Sequence, residues 1–550
     1  MLNRRVSAAV PAAATGTFRN IVESFLLLAI AVILFRGFAA EGFMISTGSM
    51  APTLLGYHRR VVCPECQFTF ARGANPDQDD EFRRTVQGAY EIGWTEPPRI
   101  RCPNCSLTEI PFQQVPRTEG DQLLVHKHAY EFRDPRRWEV IVFRNPDDPR
   151  QAYVKRVVGL PGEEIEIRGG NVYANGTLCR KPLPVRRAMR IPVSDWTHQV
   201  AGTDPDVRPE WSVDLADSRW TTTPKSLQFN GLSAESSRFQ DWVTYRHWRR
   251  SGGQHETSVP LAAWPRDVSV PSESLSQLKY QSGQVVCVGV LSDIDRRNWL
   301  SRSDSIPFQA AINQLYEKTH LTGVVDESGY NAVDESRDQN VEEFCLTLTL
   351  SEVTGNGQFA LRLKNSEDTM TAVLDFSGNV CRLFRNDESS PLKIVPFPEK
   401  STTGPILLEL TRFDGETTLA WNGSEILSVT EAIPVEQNPL PPVTEPAQFG
   451  AAGIHCQVSD IRLFRDVYYT HRPDQGTFPV RMGTDEFFVL GDNSPVSVDS
   501  RVWSVPGVPR RALIGKPLVV HLPSQTTRVQ WNDRTFDMRL PDFSRARWIR

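Results

Sequence analysis

The chain has 550 residues, and because one hydrophobic core rarely grows beyond about 250 to 300 residues, two or more folded units are expected. Hydrophobic residues make up 39% and charged residues 23% of the chain, as in ordinary globular proteins, and a net charge of -5 creates no strong field, which disfavours a nucleic-acid partner. Forty scattered prolines disfavour long helical bundles and favour short strands joined by turns.

The first predicted element is a transmembrane helix over residues 20–40. This run contains only two charged residues, Glu23 and Arg36, and about twenty helical residues rise about 30 Å, the thickness of the hydrocarbon core of a bilayer. Basic residues precede the run and are absent from the stretch directly after it, so the positive-inside rule places residues 1–19 in the cytoplasm and the rest of the chain outside. A cleavable signal peptide ending near Ala39 is the alternative interpretation.

A serine in a turn of glycine and proline follows this run directly. Ser49 stands between Gly48 and Met50, shortly before Pro52. A serine so placed could be an exposed nucleophile, but most serines of this kind satisfy backbone groups within turns. This segment alone leaves both interpretations open.

Two C-P-x-C pairs follow in the segment 63–115. Their thiols belong to Cys63, Cys66, Cys102 and Cys105. Four thiolates at this spacing suit a tetrahedral structural zinc of the ribbon type, although the stretch between the pairs is longer than usual. Two disulfides are the competing interpretation, because an oxidising compartment would permit them.

A lysine then lies within an apolar run that favours a β-strand. Lys155 stands among valines and precedes a Leu-Pro-Gly turn. In apolar surroundings the ammonium form loses solvation, so the pKa of a lysine falls toward neutrality and the amine can take a proton from a hydroxyl. A strand whose lysine simply points into water is the alternative.

The stretch 190–470 has the size of a domain. Short alternating runs separated by Gly, Asn and Asp predict an antiparallel β-sandwich. Its last predicted strand, Val458 to Tyr469, is similar to the closing strand of laminin-G or concanavalin-like sandwiches. Such sandwiches often bind carbohydrate or protein, and a role as a spacer or structural cover is the alternative.

The last motif runs from Phe487 to Arg501 and reads as an apolar strand followed by a polar turn. Together with the serine turn, the lysine strand and two strands predicted over 120–127 and 138–143, it resembles the sequence boxes of bacterial type I signal peptidases, the Ser-Lys dyad leader peptidases. The resemblance covers residues 20–62, 116–185 and 475–525.

The resemblance implies a serine endopeptidase bound to the cytoplasmic membrane, with its catalytic domain on the extracytoplasmic side. Its substrates would be exported precursor proteins, cut after small residues, typically Ala-x-Ala. Ser49 would be the nucleophile, Lys155 the general base and Ser497 the hydroxyl that orients the lysine. The backbone N–H of Ser49 and the hydroxyl of Thr47 would form the oxyanion hole. Catalysis would need no cofactor, and a zinc on the cysteines would be structural.

In the same family the residues at Asp499 and Arg501 pair and hold their loop. The expected fold is mainly β, with one transmembrane helix, a peptidase-type β domain, a ribbon-like insertion and a β-sandwich insertion. The expected units are 1–19, cytoplasmic; 20–40, the membrane helix; 41–62, 116–185 and 475–550, the peptidase domain; 63–115, the ribbon-like insertion; and 190–470, the sandwich.

Two other functions remain as alternatives. A noncatalytic membrane receptor would display the sandwich on a degraded peptidase scaffold, but retention of Ser49, Lys155 and Ser497 together disfavours it. A Ser-Lys autoprotease of the repressor type is disfavoured by the predicted membrane span and by the absence of a predicted DNA-binding helix pair.

Overall fold

A computed structural model gives the structure of the protein. It describes residues 16–34, 40–74, 100–108, 110–145, 150–200, 206–215, 217–232, 241–252, 256–269, 277–332, 338–386, 388–398, 404–431, 440–471, 478–521, 523–531 and 534–549. The sequence-based expectations for residues 1–15, 35–39 and 75–99 lie outside the described residues.

The described residues contain few helices. They are α1 (Gly16–Leu34), α2 (Ala129–Phe132), α3 (Leu183–Met189), α4 (Asp293–Leu300) and α5 (Ile306–His320). In the described part of the chain, no helix is both long enough and apolar enough to cross a membrane. Helix α1 covers much of the expected membrane segment 20–40, but Ala40 already belongs to a strand, and the transmembrane assignment is not confirmed.

Strands make up most of the remaining structure, which confirms the mainly β fold class. Before residue 190 they are β1 (Ala40–Met44), β2 (His58–Val62), β3 (Thr69–Gly73), β4 (Arg117–Thr118), β5 (Gln122–His126), β6 (Val140–Arg144), β7 (Ala152–Gly159), β8 (Glu164–Arg168), β9 (Asn171–Ala174) and β10 (Thr177–Leu178). Within 190–470 they are β11 (Ile191–Asp195), β12 (Trp211–Val213), β13 (Trp220–Thr222), β14 (Leu227–Asn230), β15 (Asp241–Tyr245), β16 (Glu256–Pro260), β17 (Leu278–Gln281), β18 (Gln284–Val288), β19 (Phe344–Lys364), β20 (Thr369–Asp375), β21 (Val380–Arg385), β22 (Lys393–Pro396), β23 (Ile406–Phe413), β24 (Glu416–Trp421), β25 (Ser424–Thr430) and β26 (Ala447–Arg465). After it they are β27 (Val480–Arg481), β28 (Glu486–Leu490), β29 (Val508–Pro509), β30 (Leu513–Val520), β31 (Ser524–Trp531), β32 (Arg534–Pro541) and β33 (Arg547–Trp548).

The first sheet joins segments from both sides of the 190–470 insertion. Its strand order is β1-β5-β30-β6-β7-β28-β29, with β33 paired to β30. Strand β6 is buried on both faces because successive side chains of a strand point in opposite directions: Ile141 and Phe143 enter one core, and Val140 and Val142 enter another. Segments that precede and follow the insertion therefore complete this sheet together.

The insertion is organised around one long strand pair, β19 with β26. The first part of β19 also pairs with β23, and its last part pairs with β20, with register shifts between Ser351 and Gln358 where the strand changes partner. Apolar side chains from both halves, including Leu346 and Leu361, share a single hydrophobic core. The segment is thus rich in antiparallel strands around one core, while the expected β-sandwich and its closer resemblance to laminin-G or concanavalin-like sandwiches stay predictions.

One part of the insertion was not predicted. Strands β16, β18 and β17 form a separate three-stranded sheet that packs against α4 and α5. The buried face of α5 carries Phe308, Ala311, Ile312, Leu315 and Tyr316, which follow the spacing of an amphipathic helix. This periodicity was visible in the sequence, and the 190–470 segment therefore contains a unit of helices and strands that was not predicted.

Buried ion pairs connect the insertion to the residues that directly precede it. The Nζ atom of Lys181, just after β10, lies 2.8 Å from Oδ2 of Asp466 and also contacts Asp414. All three side chains are almost fully buried. Breaking such a pair by removing one partner typically costs about 3–5 kcal/mol, so this junction holds the two units in a defined relation.

Candidate active site

Ser49 lies in a tight turn that follows β1. The backbone N–H of Ala51 donates to the carbonyl of Gly48 at 3.0 Å, and that of Leu54 donates to the carbonyl of Met50 at 2.8 Å. Met50 and Ala51 are buried, whereas Ser49 is half-buried and faces a cleft. Apolar side chains thus anchor the turn and leave the serine hydroxyl accessible.

Lys155 comes from the middle of β7, where it is paired with Ile141 of β6. The residue is only 3% exposed. Its Nζ atom donates a hydrogen bond of 2.5 Å to Oγ of Ser49. The structure therefore brings the two expected dyad residues into direct contact, with a distance suited to proton transfer.

The surroundings of Lys155 favour its neutral form. Burial lowers its pKa to about 8, because the ammonium group loses hydration. The Asp499 carboxylate opposes this change and raises the pKa, the Arg501 guanidinium lowers it, and the Asp492 carboxylate raises it. An amine with such a pKa is partly neutral near neutral pH and can accept the proton of a hydroxyl.

Ser497 is buried beside the dyad, but in a different arrangement from the one expected. Its Oγ atom makes no hydrogen bond to any described residue, so the expected bond to Lys155 is not formed in this structure. A Cβ atom added at Gly491 would lie 2.2 Å from Oγ of Ser497 and 2.3 Å from the carbonyl oxygen of Ser49. Glycine at position 491 is what allows the two serine loops to approach so closely.

Asp499 and Arg501 form a fully buried, bidentate ion pair. The Nε and Nη2 atoms of Arg501 each donate to a carboxylate oxygen of Asp499 at 2.8 Å. The carboxylate also accepts from the backbone N–H of Gly491 at 3.0 Å, and Arg501 donates to the carbonyl of Thr470 at 2.6 Å. These bonds tie the ends of the loop that carries Ser497 to each other and to the end of the insertion.

A second buried ion pair was not predicted from the sequence. Arg156, the residue after Lys155, donates to both carboxylate oxygens of Asp492 at 2.8 and 2.7 Å, and both side chains are fully buried. Arg156 also donates to the carbonyl of Trp138 at 2.7 Å. A buried arginine requires a carboxylate partner, and the position of Arg156 in an apolar strand, directly before Val157 and Val158, was the available signal.

The dyad opens into a cleft of about 730 Å³. Thr47 is exposed and lines this cleft two residues before Ser49. The opposite wall includes Tyr330 and Asn331, which belong to the insertion. No part of the insertion was predicted to lie at the site, because nothing in the local pattern of that segment indicates its partner.

The four cysteines of the two C-P-x-C pairs converge beside the small sheet β3-β2-β4. Their sulfur atoms all lie within 4.8 Å of one another. The Sγ atoms are 3.5 Å apart for Cys63 and Cys105, and 3.6 Å apart for Cys66 and Cys102. Four thiolates around one zinc at about 2.3 Å would be about 3.8 Å apart, so this donor set fits a tetrahedral metal.

The two cysteine turns have the same backbone geometry. The N–H of Gln67 donates to the carbonyl of Cys63 at 3.0 Å, and the N–H of Ser106 donates to the carbonyl of Cys102 at 3.0 Å. Gln67 and Ser106 have positive φ angles of 59° and 60°. The sulfur distances exceed the S–S bond length of about 2.05 Å, and all nine cysteines are free, so the disulfide interpretation is wrong for this structure.

The lysine strand and its neighbours connect this chain to a known family. Residues 115–213 match the model of the family described as Signal peptidase, peptidase S26. The matched stretch contains Lys155 and stops at the end of β12. Ser49 and Ser497 lie outside it, and Ser49 contacts the lysine only in the folded chain.

Several curated signal peptidases are similar to short parts of the chain. The probable signal peptidase I-2 of Synechocystis sp. is 44% identical over 65 residues, which are 11% of this chain and 29% of that protein. Signal peptidase I V of Bacillus subtilis is 38% identical over 64 residues, 12% of this chain and 37% of that protein. Signal peptidase I of Rickettsia bellii is 24% identical over 153 residues, 28% of this chain and 38% of that protein. The chain thus spans about a third of the length of these relatives.

Among solved structures, the galectin LEC-6 of Caenorhabditis elegans aligns with 22% of this chain and 83% of its own length, at 13% identity and a TM-score of 0.17. A likeness this weak carries no argument about the fold or ligands of the insertion.

Proposed function

We propose that this protein is a type I signal peptidase, a membrane-bound serine endopeptidase that removes N-terminal signal peptides from exported precursor proteins after small residues, typically Ala-x-Ala. The observation that carries the proposal is the 2.5 Å contact between Oγ of Ser49 and Nζ of the buried Lys155. The match of residues 115–213 to the signal peptidase family supports it independently.

In the proposed mechanism, the neutral amine of Lys155 takes the proton of Ser49, and Oγ attacks the carbonyl carbon of the scissile bond. The backbone N–H of Ser49 and the hydroxyl of Thr47 stabilise the oxyanion of the tetrahedral intermediate. The ammonium of Lys155 then gives its proton to the leaving amine, and an ester to Ser49 remains. A water molecule, deprotonated by the same lysine, hydrolyses that ester.

The loop after β28 supports this chemistry through three residues, Ser497, Asp499 and Arg501. The Ser497 hydroxyl has no partner among the described residues, so it is free to bond and orient Lys155 when substrate binding rearranges the cleft. The ion pair of Asp499 with Arg501 holds the loop on which Ser497 stands.

Membrane attachment is also part of the proposal. Helix α1 presents exposed apolar side chains, such as Phe25 at 70% and Leu27 at 68%, which favour a lipid environment over water. Its first turns carry Arg19 bonded to Glu23, a polar end suited to the cytoplasmic surface. This arrangement would keep the cleft close to a precursor held in the same membrane.

We further infer that Cys63, Cys66, Cys102 and Cys105 hold one structural zinc. The four sulfurs would fill all coordination positions of the metal, so the zinc would stabilise the fold of the ribbon-like unit and leave the chemistry to Ser49 and Lys155. A carbohydrate or protein ligand of the sandwich stays a prediction.

The test is cleavage of a precursor with an Ala-x-Ala signal peptide by the detergent-solubilised full chain. Ser49→Ala and Lys155→Ala are each expected to abolish cleavage, whereas Lys225→Ala, which changes an exposed lysine of the insertion, is expected to leave it unchanged. Mass spectrometry of the products identifies the bond that is cut. Cleavage that survives both dyad substitutions, or no cleavage of several precursors by the unaltered protein, would rule the proposal out.

A further inference from the structure

The insertion reaches the turn that carries Ser49. Its short segment Ser328–Asn331, which lies between α5 and β19, makes this contact. The carbonyl of Tyr330 accepts from the N–H of Gly73 at 2.9 Å and from Arg72 at 2.7 Å, and its hydroxyl donates to the carbonyl of Tyr57 at 2.8 Å. These bonds fix the segment to the residue before β2 and to the end of β3.

The ring of Tyr330 packs directly against the residue before the nucleophile. A Cβ atom added at Gly48 would lie 2.1 Å from Cε1 of Tyr330. Tyr330 is only 7% exposed, so its ring has no room to move aside. The glycine before Ser49 therefore makes space for a side chain of the insertion.

A pair of amides completes the connection. Nδ2 of Asn331 donates to Oδ1 of Asn493 at 2.7 Å, and Nδ2 of Asn493 donates to Oδ1 of Asn331 at 2.9 Å. Asn493 in turn holds the nucleophile turn twice: its Nδ2 donates to the carbonyl of Gly48 at 2.9 Å, and its backbone N–H donates to the carbonyl of Ser49 at 3.0 Å. Each end of the Ser49 turn is thus linked through one buried asparagine to the insertion.

We propose that Asn331 is a positioning residue for Ser49, so that the insertion forms part of the catalytic apparatus. This rests on the proposed peptidase function. Only the NH₂ end of the Asn493 amide can donate to the Gly48 carbonyl, and the reciprocal pair with Asn331 holds that amide in the position and plane in which this bond forms. Without Asn331, the Asn493 amide loses this constraint, and the peptide of Gly48 and Ser49, which carries the expected oxyanion-hole N–H, loses its fixed orientation.

The first measurement is steady-state cleavage of an Ala-x-Ala precursor by the full-length protein. Asn331→Ala is expected to lower kcat about tenfold and to leave KM within about twofold, because the geometry of the reacting groups changes while the substrate-binding surface largely remains. Asn298→Ala, on the exposed face of α4, is the matched control and is expected to behave like the unaltered protein. Equal kcat values for the Asn331 and Asn298 variants would overturn the proposal.

A double-mutant cycle separates positioning from a general loss of structure. If Asn331 acts through Asn493, then Asn331→Ala has no further effect on kcat in an Asn493→Ala background. Effects that multiply, with the same tenfold loss in both backgrounds, would show that Asn331 acts by another route and would overturn the proposal.

A third readout does not depend on peptidase activity. In a Ser49→Cys variant, the rate at which iodoacetamide alkylates residue 49 reports the thiolate fraction beside Lys155, and peptide mass spectrometry distinguishes that thiol from the nine native cysteines. Adding Asn331→Ala is expected to shift the pH midpoint of alkylation by about half a unit, because the contact with Lys155 changes. If the unaltered protein cleaves no precursor but Asn331→Ala shifts the alkylation midpoint of the Ser49→Cys variant, the peptidase function is refuted and the positioning role is retained. An unchanged midpoint would refute the positioning role alone.

Discussion

In the proposed mechanism Lys155 must be neutral before it can take a proton from Ser49, and the surroundings of the lysine decide at which pH this happens. A single strand both buries the lysine and aims it at the serine, since the residue is 3% exposed and its Nζ atom lies 2.5 Å from Oγ of Ser49. Burial has the largest effect on the pKa of Lys155 and lowers it. The charge of Asp499 raises this pKa and the charge of Arg501 lowers it, so their two effects oppose each other. The lowered pKa of Lys155 is therefore mainly a consequence of its burial.

This gives a prediction for the pH dependence of cleavage. Because the pKa of Lys155 is lowered to about 8 and the neutral amine is the active form, kcat/KM should rise about tenfold per pH unit below that value and level off above it. Initial rates measured across this range, with protein stability checked at each pH, provide the profile. A rise centred near the ordinary lysine pKa of about 10.4 would show that the lysine is solvated in the working enzyme.

At the scale of elements, β7 carries two basic residues that point to opposite faces of its sheet. Successive residues of a strand point to opposite faces, so Lys155 meets Ser49 while Arg156 meets Asp492 in the loop after β28. Strand β7 pairs with β28, and the Arg156 pair adds a side-chain connection between the same two elements. The loop that carries Ser497 is consequently held to the lysine strand by both backbone and side-chain bonds.

Removing the charge of Asp492 should expose the importance of this connection. Asp492→Asn leaves the fully buried Arg156 without a counter-charge, and the free energy of unfolding is expected to fall by about 3–5 kcal/mol in urea titrations. The matched control is Glu317→Gln, which breaks the exposed Arg208–Glu317 pair of 2.7 Å and should cost about 0–1 kcal/mol. Similar losses in both variants would mean that the buried pair contributes no more than a surface one.

At the scale of the whole molecule, the three units meet around the insertion segment that precedes β19. Arg101, beside the second cysteine turn, donates to Glu327 at 2.7 Å, and Arg249 of the insertion contacts the same carboxylate at 3.0 Å. A few residues further along, Asn331 contacts the Ser49 turn through Asn493. The cysteine cluster, the insertion and the dyad are therefore neighbours in space.

The metal proposal is tested at this scale. The purified full chain is expected to contain one zinc per molecule, and Cys63→Ser together with Cys102→Ser is expected to remove it and to lower Tm, because metal binding contributes folding free energy. Cys381→Ser, in the sandwich core and away from the cluster, should retain the metal. Zinc content that is unchanged in the double variant would contradict the assignment.

Local sequence patterns were sufficient to select the candidate site residues. The Gly-Ser turn, the lysine among valines and each C-P-x-C pair are complete within a few residues, so they could be selected as candidates before any fold was known, while each alone left an alternative open. The alternating runs likewise predicted a mainly β protein with a large sandwich. The periodic apolar face of α5 carries the same kind of local signal, and this helix could have been predicted in the same way.

Which of these local features contact one another is visible only in the folded chain. Ser49 and Lys155 are 106 positions apart, Arg156 and Asp492 are 336 apart, and Asn331 and Asn493 are 162 apart. No local pattern encodes such pairings, because they depend on where the insertion returns the chain and on which strands then close the first sheet. For the same reason the position of the Ser497 hydroxyl and the amide link from the insertion to Ser49 could be read only from the folded molecule.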